Sequence, residues 1–134
     1  MPARVLVVDD DEAIRTLTAH LFTRTGYEVA TAVDGADAIA KLEASSFNLL
    51  VLDLMMPRTD GVAVVDWIAE NAPPPRIIVV TAAVPGIVEN LRKDLVWKIM
   101  AKPFNLQDLL REAEEALRSE SATAPESDSS AASA

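Results

Sequence analysis

Short apolar runs alternate with segments of helical periodicity over most of this chain, and that alternation constrains its fold more than any other feature. The runs are rich in Val, Leu and Ile and have the length of buried strands rather than of helices. Such alternation is typical of a parallel sheet whose strands are joined by crossover helices. Because these crossovers are right-handed, we expect an open, doubly wound α/β sheet of five strands. The predicted strands span residues 5–8, 28–32, 48–53, 77–81 and 98–101.

Helices are predicted between these strands, where apolar residues recur three and four positions apart. Gly26 ends the first helix, and the side chain of Asn105 is placed to cap the last one. The fourth segment, residues 84–97, has the weakest helical pattern because Pro85 and Gly86 stand near its start. The other predicted helices span residues 12–25, 62–71 and 106–118, and one more follows a turn at Asp34 and Gly35.

The first predicted helix carries one apolar stripe, which we expect to face the sheet. The members of this stripe are Ile14, Leu17, Leu21 and Phe22. His20, the only histidine of the chain, lies off the stripe, so we expect it to be solvent-exposed rather than part of a reactive site.

The composition excludes several classes of function. The chain has 21 acidic and 12 basic residues and a formal net charge of -9, which argues against direct binding to a nucleic-acid backbone. It has no cysteine, so disulfide and zinc-thiolate chemistry are excluded. No apolar stretch approaches the roughly 20 residues that span a bilayer, and the start does not resemble a signal peptide. We therefore expect a cytoplasmic protein that binds cations or other proteins and no membrane.

The end of the chain has a different composition from the rest. Residues 119–134 are mostly Ser, Ala and acidic residues, and none of them offers a large apolar side chain to a core. We predict one folded domain over residues 1–118, followed by a disordered tail or linker over 119–134. The chain is then either a free-standing domain or an amino-terminal piece that leads to an effector.

Polar side chains stand at the carboxyl ends of four predicted strands. Asp53 closes an apolar strand, Asp9 and Asp10 follow another, and Thr81 and Lys102 mark the ends of two more. In doubly wound sheets, ligands bind at this edge. Each residue alone has an ordinary structural explanation, such as a helix cap or a solvated charge. Their joint placement nevertheless predicts a functional site.

The residue types at this edge indicate phosphoryl chemistry that depends on a cation. Two carboxylates about 4 Å apart repel by roughly 4 kcal/mol at an effective dielectric constant near 20, so three of them favour a bound divalent ion. Oxygen ligands without His or Cys favour a hard ion such as Mg²⁺. Lys102 can pair with a carboxylate or a phosphoryl oxygen, and Thr81 can donate a hydrogen bond. Asp53 is then available as a nucleophile that forms an acyl phosphate.

These motifs, in their order and spacing, make residues 3–118 resemble the receiver domain of two-component response regulators. The resemblance implies a flavodoxin-like (βα)5 fold with strand order 2-1-3-4-5. It also implies a signalling switch that is controlled by phosphorylation, rather than an enzyme that turns over. The motifs are Val7-Val8-Asp9-Asp10, Asp53-Leu54-Met55-Met56-Pro57 with Asp60-Gly61, Thr81-Ala82 and Lys102-Pro103-Phe104.

By this resemblance, Mg²⁺ would be bound by Asp10, Asp53 and the backbone carbonyl of Met55, with Asp9 acting through water. Asp53 would accept a phosphoryl group from the phosphohistidine of a sensor histidine kinase or phosphotransfer protein, or from a small acyl phosphate.

Lys102 and Thr81 would contact that phosphoryl group, and the Lys102-Pro103 peptide bond is expected to be cis. A downstream protein target is implied as well, and a homodimer that forms on phosphorylation is a further partner that the resemblance allows.

The sequence departs from the family near the fifth strand. Ile99 occupies a position that is usually Tyr or Phe, so we hypothesise that Trp97 contributes to a partner surface instead. Its ring could equally pack over the neighbouring helix. The resemblance places the partner surface on the fourth helix, the fifth strand and the last helix, with Arg92, Lys93 and Lys98 as further candidates.

In the family that this chain resembles, two positions near the site influence the loss of the phosphoryl group. Met55 and Ala83 are apolar and cannot hold an attacking water, which predicts a comparatively long-lived aspartyl phosphate. Two alternative functions stay open. A degenerate receiver that acts as a scaffold without phosphorylation is suggested by Ile99. A Mg²⁺-dependent phosphohydrolase would need a second acid where Met55 stands.

Overall fold

The computed structural model describes residues 2–56, 61–71, 73–82 and 91–122. Within these residues, five parallel strands form one sheet in the order β2-β1-β3-β4-β5, which confirms the predicted fold class and strand order. Every predicted strand is present, with its bounds shifted by no more than one residue. The strands are β1 Arg4–Val8, β2 Glu28–Ala32, β3 Leu49–Asp53, β4 Arg76–Thr81 and β5 Lys98–Ala101.

Four α-helices and one 3-10 helix are present in the described residues. The α-helices are α1 Glu12–Thr25, α2 Gly35–Ala44, α3 Gly61–Asn71 and α4 Leu106–Ala122, and the 3-10 helix spans Lys93–Leu95. None of these helices is long and apolar enough to span a lipid bilayer.

Two predictions concern segments that are only partly described. The last helix was predicted to end at Arg118 but continues to Ala122, so it includes the beginning of the predicted disordered tail. The good helix formers Glu120 and Ala122 are compatible with this extension. Residues 123–134 of that tail, and residues 84–90 of the weakly helical segment, lie outside the described residues.

The core lies on both faces of the sheet, as a doubly wound fold requires. One hydrophobic cluster joins the sheet to α2 and α3, through side chains such as Ala38 and Ile68. The other cluster joins the opposite face to α1 and α4, through side chains such as Phe22 and Leu109. The central strands β1, β3 and β4 are therefore buried on both faces, which explains why their sequences are continuously apolar.

The predicted helix ends are confirmed where the structure describes them. Gly26 ends α1 with a φ of 111°, a left-handed conformation that glycine adopts without strain. The Oδ1 atom of Asn105 accepts hydrogen bonds from the amides of Gln107 and Asp108 at 2.7 and 3.3 Å. This side chain caps α4 by satisfying amides that have no partner inside the helix.

The buried face of α1 differs from the predicted apolar stripe. Leu17 is 57% exposed, whereas Thr18 and Phe22 are fully buried. Phe22 anchors the helix on the sheet, and Thr18 is one turn away on the same face. Leu17 is therefore turned outward, although its spacing from Ile14 and Leu21 is helical. His20 is exposed, as predicted.

Candidate functional site

The carboxyl edge of the sheet brings together the side chains that the sequence places at its strand ends. Asp9 follows β1, Asp53 ends β3 and Thr81 ends β4, and all three are buried. Lys102 follows β5, and its Nζ atom donates to Asp9 Oδ2 at 3.0 Å and to Asp53 Oδ2 at 3.2 Å. The Lys102 amide also donates to the Thr81 carbonyl at 2.7 Å, and the peptide bond that follows Lys102 is cis, as expected.

Three carboxylates converge at this edge. Asp9, Asp10 and Asp53 each offer one oxygen, and these oxygens lie within 4.8 Å of one another. Asp9 and Asp53 are buried, whereas Asp10 is exposed and opens the cluster to solvent. Oxygen donors of this kind are the ligands of hard divalent cations, so the residues present are chemically suited to hold Mg²⁺.

Hydrogen bonds fix the two buried carboxylates in place. Asp9 Oδ1 accepts from the amide of Asp11 at 2.9 Å, and Asp53 Oδ1 accepts from the amide of Met55 at 3.0 Å. The second oxygen of each carboxylate accepts from Lys102. Because the oxygens of both groups are engaged, their orientation is set by the fold before any ligand binds.

The electrostatics of the site reflect this burial. Burial raises the pKa of the Asp53 carboxyl, while the Met55 amide and the Lys102 ammonium act in the opposite direction and the charge of Asp9 adds to the increase. Burial lowers the pKa of Lys102, but the hydrogen bonds and charges of Asp9 and Asp53 more than offset it, so this pKa is raised. The ionised form of Asp53 is thus only partly stabilised by Lys102, and a bound cation would stabilise it further.

Thr81 carries a buried hydroxyl group that has no hydrogen-bond partner among the described residues. A buried hydroxyl without a partner costs on the order of 1–3 kcal/mol, so this group gains stability from any acceptor that reaches it. The side chain of Met55 is 41% exposed beside the cluster, and the role of its carbonyl as a metal ligand stays a prediction.

The predicted partner-surface residues lie outside the carboxylate cluster. Trp97 is half-buried, and its ring packs against the cluster beneath α4, which agrees with the second of the two roles considered for it. The guanidinium group of Arg76 lies over that ring, 5.4 Å from its centroid. A role in partner binding stays a prediction for Trp97, Ile99, Arg92, Lys93 and Lys98. Ile99 is 36% exposed, and Arg92, Lys93 and Lys98 are exposed.

Gly61 has a role at the site that our sequence analysis did not assign. A Cβ atom at Gly61 would lie 2.6 Å from the carbonyl oxygen of Asp53 and 2.7 Å from the Cα atom of Leu54. The Gly61 amide also donates to the Leu54 carbonyl at 3.0 Å. Only a residue without a side chain lets α3 start this close to Asp53. A glycine at the start of a predicted helix was the available signal.

Arg15 is the second residue whose contact with the site the sequence analysis did not predict. Its Nη1 atom donates to the backbone carbonyl of Asp9 at 2.9 Å. Arg15 lies in the first turns of α1, where a sequence pattern predicts only that an arginine side chain is exposed to solvent. No local pattern in the sequence indicates which carbonyl group its side chain contacts.

Several response regulators are similar to this chain in sequence. Residues 5–114 match the family described as the response regulator receiver domain. The chain is 34% identical over 129 residues to the alkaline phosphatase synthesis transcriptional regulatory protein PhoP of Bacillus subtilis (strain 168), which covers 96% of this chain and 54% of that protein. It is 31% identical over 116 residues to the response regulator receiver protein CpdR of Brucella abortus (strain 2308), covering 85% and 96%. The chain thus spans about half the length of PhoP and nearly all of CpdR.

Solved structures show the same fold. The response regulator receiver domain protein (CheY-like) from Methanospirillum hungatei JF-1 superposes with a TM-score of 0.86 at 29% identity, covering 91% of this chain and 98% of that one. The response regulator protein TrrA from Thermotoga maritima superposes with a TM-score of 0.75 at 30% identity, covering 87% and 99%. By sequence and fold, the chain belongs to the response regulator receiver domain family.

Proposed function

We propose that this receiver domain is a signalling switch in which Asp53 accepts a phosphoryl group in a Mg²⁺-dependent reaction. The observation that carries the proposal is the double contact of Lys102 with Asp9 and Asp53 beside a third carboxylate. In support of the proposal, the Asp53 carboxylate, the Lys102 ammonium group and two further carboxylates lie together at one edge of the sheet. The phosphoryl donor is the phosphohistidine of a sensor histidine kinase or phosphotransfer protein, or a small acyl phosphate.

The proposed metal ligands are Asp10, Asp53 and the Met55 carbonyl, with Asp9 acting through water. When bound, Mg²⁺ would neutralise negative charge on the carboxylates and on the phosphoryl oxygens. The spacing of the three carboxylates supports this assignment. The structure of TrrA was solved in complex with Mg²⁺-BeF, and this protein shares 30% sequence identity with the present chain.

The transfer itself forms one bond and breaks one. An Asp53 carboxylate oxygen attacks phosphorus while the bond between phosphorus and the donor nitrogen breaks, and the donor imidazole leaves with that electron pair. Lys102 places its positive charge where the equatorial oxygens of the phosphoryl group gain negative charge. The unpartnered hydroxyl of Thr81 donates to one of those oxygens once the phosphoryl group is in place.

We further propose that the switch acts through protein contacts in the cytoplasm rather than by sustained catalysis. Phosphorylation would shift an existing equilibrium between two forms of the surface around β5. Ile99 is partly exposed, and the basic side chains of Arg92, Lys93 and Lys98 are exposed although the chain as a whole is acidic. Both observations support a contact with a downstream protein. The residues of this surface are Ile99, Trp97, Arg92, Lys93 and Lys98, with Thr81 as the group that senses the phosphoryl oxygen.

Intact-mass measurement after incubation with acetyl phosphate and Mg²⁺ tests the proposal. We expect one phosphoryl adduct in the wild-type protein and none in D53N or after removal of Mg²⁺ with a chelator. D66N, which removes an exposed carboxylate from α3, is the matched control and should form the adduct like the wild type. The absence of any adduct in the wild type would favour the scaffold function, and continuing release of phosphate would favour the phosphohydrolase.

A further inference from the structure

Arg15 lies outside the carboxylate cluster but is tied to it through the backbone. It stands in the first turns of α1, and its side chain returns to the end of β1, where Nη1 donates to the Asp9 carbonyl at 2.9 Å. A hydrogen bond from a charged guanidinium group is shorter and stronger than one between neutral groups. Arg15 therefore holds one particular carbonyl oxygen of the loop that carries the metal-ligand candidates.

That carbonyl oxygen belongs to the peptide group that joins Asp9 to Asp10. Because a peptide group is planar, fixing its oxygen also fixes the direction in which the chain enters Asp10. The side chain of Asp10 is exposed, and it makes no hydrogen bond or ion pair within the described residues. The position of the Asp10 carboxylate thus depends on its backbone, and Arg15 holds that backbone.

The other polar atoms of Asp9 are held by other groups. Its amide donates to the Ala32 carbonyl at 3.2 Å, while its carboxylate accepts from the Asp11 amide and from Lys102. The carbonyl oxygen of Asp9 is the atom that Arg15 holds, whereas the contact of Asp9 Oδ1 with the Asp11 amide restrains the loop on the other side of Asp10.

The charge of Arg15 also acts on Asp37, near the start of α2. Burial raises the pKa of Asp37, but hydrogen bonds from Lys41 and the Val33 amide, together with the charges of Lys41 and Arg15, lower it below its ordinary value. The guanidinium group is thus close enough to Asp37 to stabilise its ionised form.

We propose that Arg15 is a positioning residue, which holds the Asp9–Asp10 peptide group so that the Asp10 carboxylate faces the divalent cation. This inference rests on the proposed function, which supplies that cation. Outer contacts of this kind change metal affinity by about 10- to 100-fold when they are removed from metal sites.

The sign of the effect separates positioning from simple electrostatics. If Arg15 acted only as a nearby positive charge, its removal would strengthen the binding of Mg²⁺, because less repulsion would oppose the cation. If Arg15 positions Asp10, its removal weakens the binding, although the site becomes more negative.

Titration calorimetry of the whole chain with MgCl₂ shows whether the removal of Arg15 weakens or strengthens the binding of Mg²⁺. We expect R15M to raise the Kd for Mg²⁺ about tenfold. R15K, which keeps the charge and a donor, should restore most of the affinity. R24M is the matched control, because it removes the same charge from the exposed last turn of the same helix, and its Kd should equal that of the wild type. An R15M protein that binds Mg²⁺ as tightly as the wild type, or more tightly, would overturn the proposal.

Hydrogen exchange of the metal-free protein gives a second, independent measurement. We expect the amides of Asp10 and Asp11 to exchange faster in R15M than in the wild type and R24M, since the loop has lost its anchor. Unchanged exchange would also overturn the proposal. If the wild type takes up no Mg²⁺, the proposed function fails, while the exchange measurement still decides whether Arg15 holds the loop. If R15M does not fold, R15Q replaces it, because its shorter amide side chain carries no charge. The same two measurements, the Kd for Mg²⁺ and the exchange of the Asp10 and Asp11 amides, then decide the outcome.

Discussion

At the scale of single residues, Asp53 shows how the site opposes the stability of the fold. Its side chain is buried, and burial raises its pKa above the ordinary value, so the folded state disfavours the ionised carboxylate. The Lys102 ammonium group compensates for the charge of Asp53 only in part, because it also pairs with Asp9. A group that is kept charged at this position at neutral pH therefore costs stability, and the proposed reactivity of Asp53 would account for that cost.

We predict that D53N is more stable than the wild type when no divalent cation is present. The amide has nearly the same size and carries no charge, so the fold no longer holds a second buried carboxylate beside Asp9. The expected gain is on the order of 1 kcal/mol, the usual size of a single-residue effect. Urea denaturation at pH 7 in the presence of a chelator measures it, with D66N as the control. A loss of stability in D53N would show that the contact with Lys102 dominates.

At the scale of elements, the junction of β3 and α3 depends on Gly61. The helix starts where the backbone of Asp53 and Leu54 passes at contact distance, and a Cβ atom at this position would lie 2.6 Å from the Asp53 carbonyl oxygen. Backbone atoms cannot rotate away as a flexible side chain can. Any larger residue must therefore displace the helix or the strand end that carries Asp53, the proposed phospho-acceptor.

We predict that G61A destabilises the fold by about 1–3 kcal/mol, the usual cost of inserting a methyl group into a well-packed region. The strand end should shift as well, so the yield of the acetyl phosphate adduct on Asp53 should fall. Chemical denaturation and intact mass measure the two effects. E70A, an exposed substitution in the same helix, should change the stability by less than about 0.5 kcal/mol. A G61A protein of wild-type stability and reactivity would contradict the assigned role.

The start of α2 depends on an ionised side chain. Asp37 Oδ2 accepts from the Val33 amide at 3.1 Å, and Lys41 donates to both carboxylate oxygens at 3.1 and 3.2 Å. Its pKa is lowered in the folded state, although burial alone would raise it. A depressed carboxyl pKa means that the unfolded chain binds the proton more readily, so Asp37 contributes stability above its ordinary pKa.

We predict that this contribution disappears as the pH falls from the ordinary carboxyl range through the lowered pKa of Asp37. D37N lacks this carboxylate and should not show this loss of stability. The free energies of unfolding of D37N and the wild type should therefore approach each other as the solution becomes more acidic. Urea midpoints from pH 6 down to acid, compared with those of E43Q in the same helix, check the slope. A constant difference between D37N and the wild type over that range would count against it.

At the scale of the whole molecule, the functional side chains come from distant parts of the chain and meet only because the sheet is parallel. Asp9, Asp53 and Lys102 each end or follow a different strand, and the strand order β2-β1-β3-β4-β5 places those strand ends along one edge. A ligand that binds this edge therefore connects elements throughout the domain, and it stabilises the folded state as a whole.

We predict that Mg²⁺ raises the stability of the entire domain. A ligand that binds only the folded state adds about 2.7 kcal/mol when its concentration is 100 times its Kd. The thermal midpoint of the wild type should therefore rise with the Mg²⁺ concentration, and that of D53N should rise much less. D66N separates specific binding from a general salt effect and should respond like the wild type. Equal shifts in all three proteins would indicate screening rather than a metal site.

Local patterns in the sequence were sufficient to predict the five strands and the polar side chains that stand at their carboxyl ends. The continuous apolar runs predicted the central strands β1, β3 and β4, because a strand covered on both faces has no polar side to alternate with. The polar residues directly after those runs predicted the site, because parallel strands bring their carboxyl ends to one edge. Asn105 and Gly26 predicted helix ends, since capping depends on residues that are neighbours in the chain.

Only the tertiary structure decided how the elements are rotated and which distant atoms meet. The outward position of Leu17 depends on how α1 settles on the sheet around Phe22, and several helical stripes of similar hydrophobicity are compatible with its sequence. The contact of Arg15 with the Asp9 carbonyl and the close approach of Gly61 to Asp53 depend on distances between elements. Such distances follow from the packing of the whole core, which no local pattern of residues encodes.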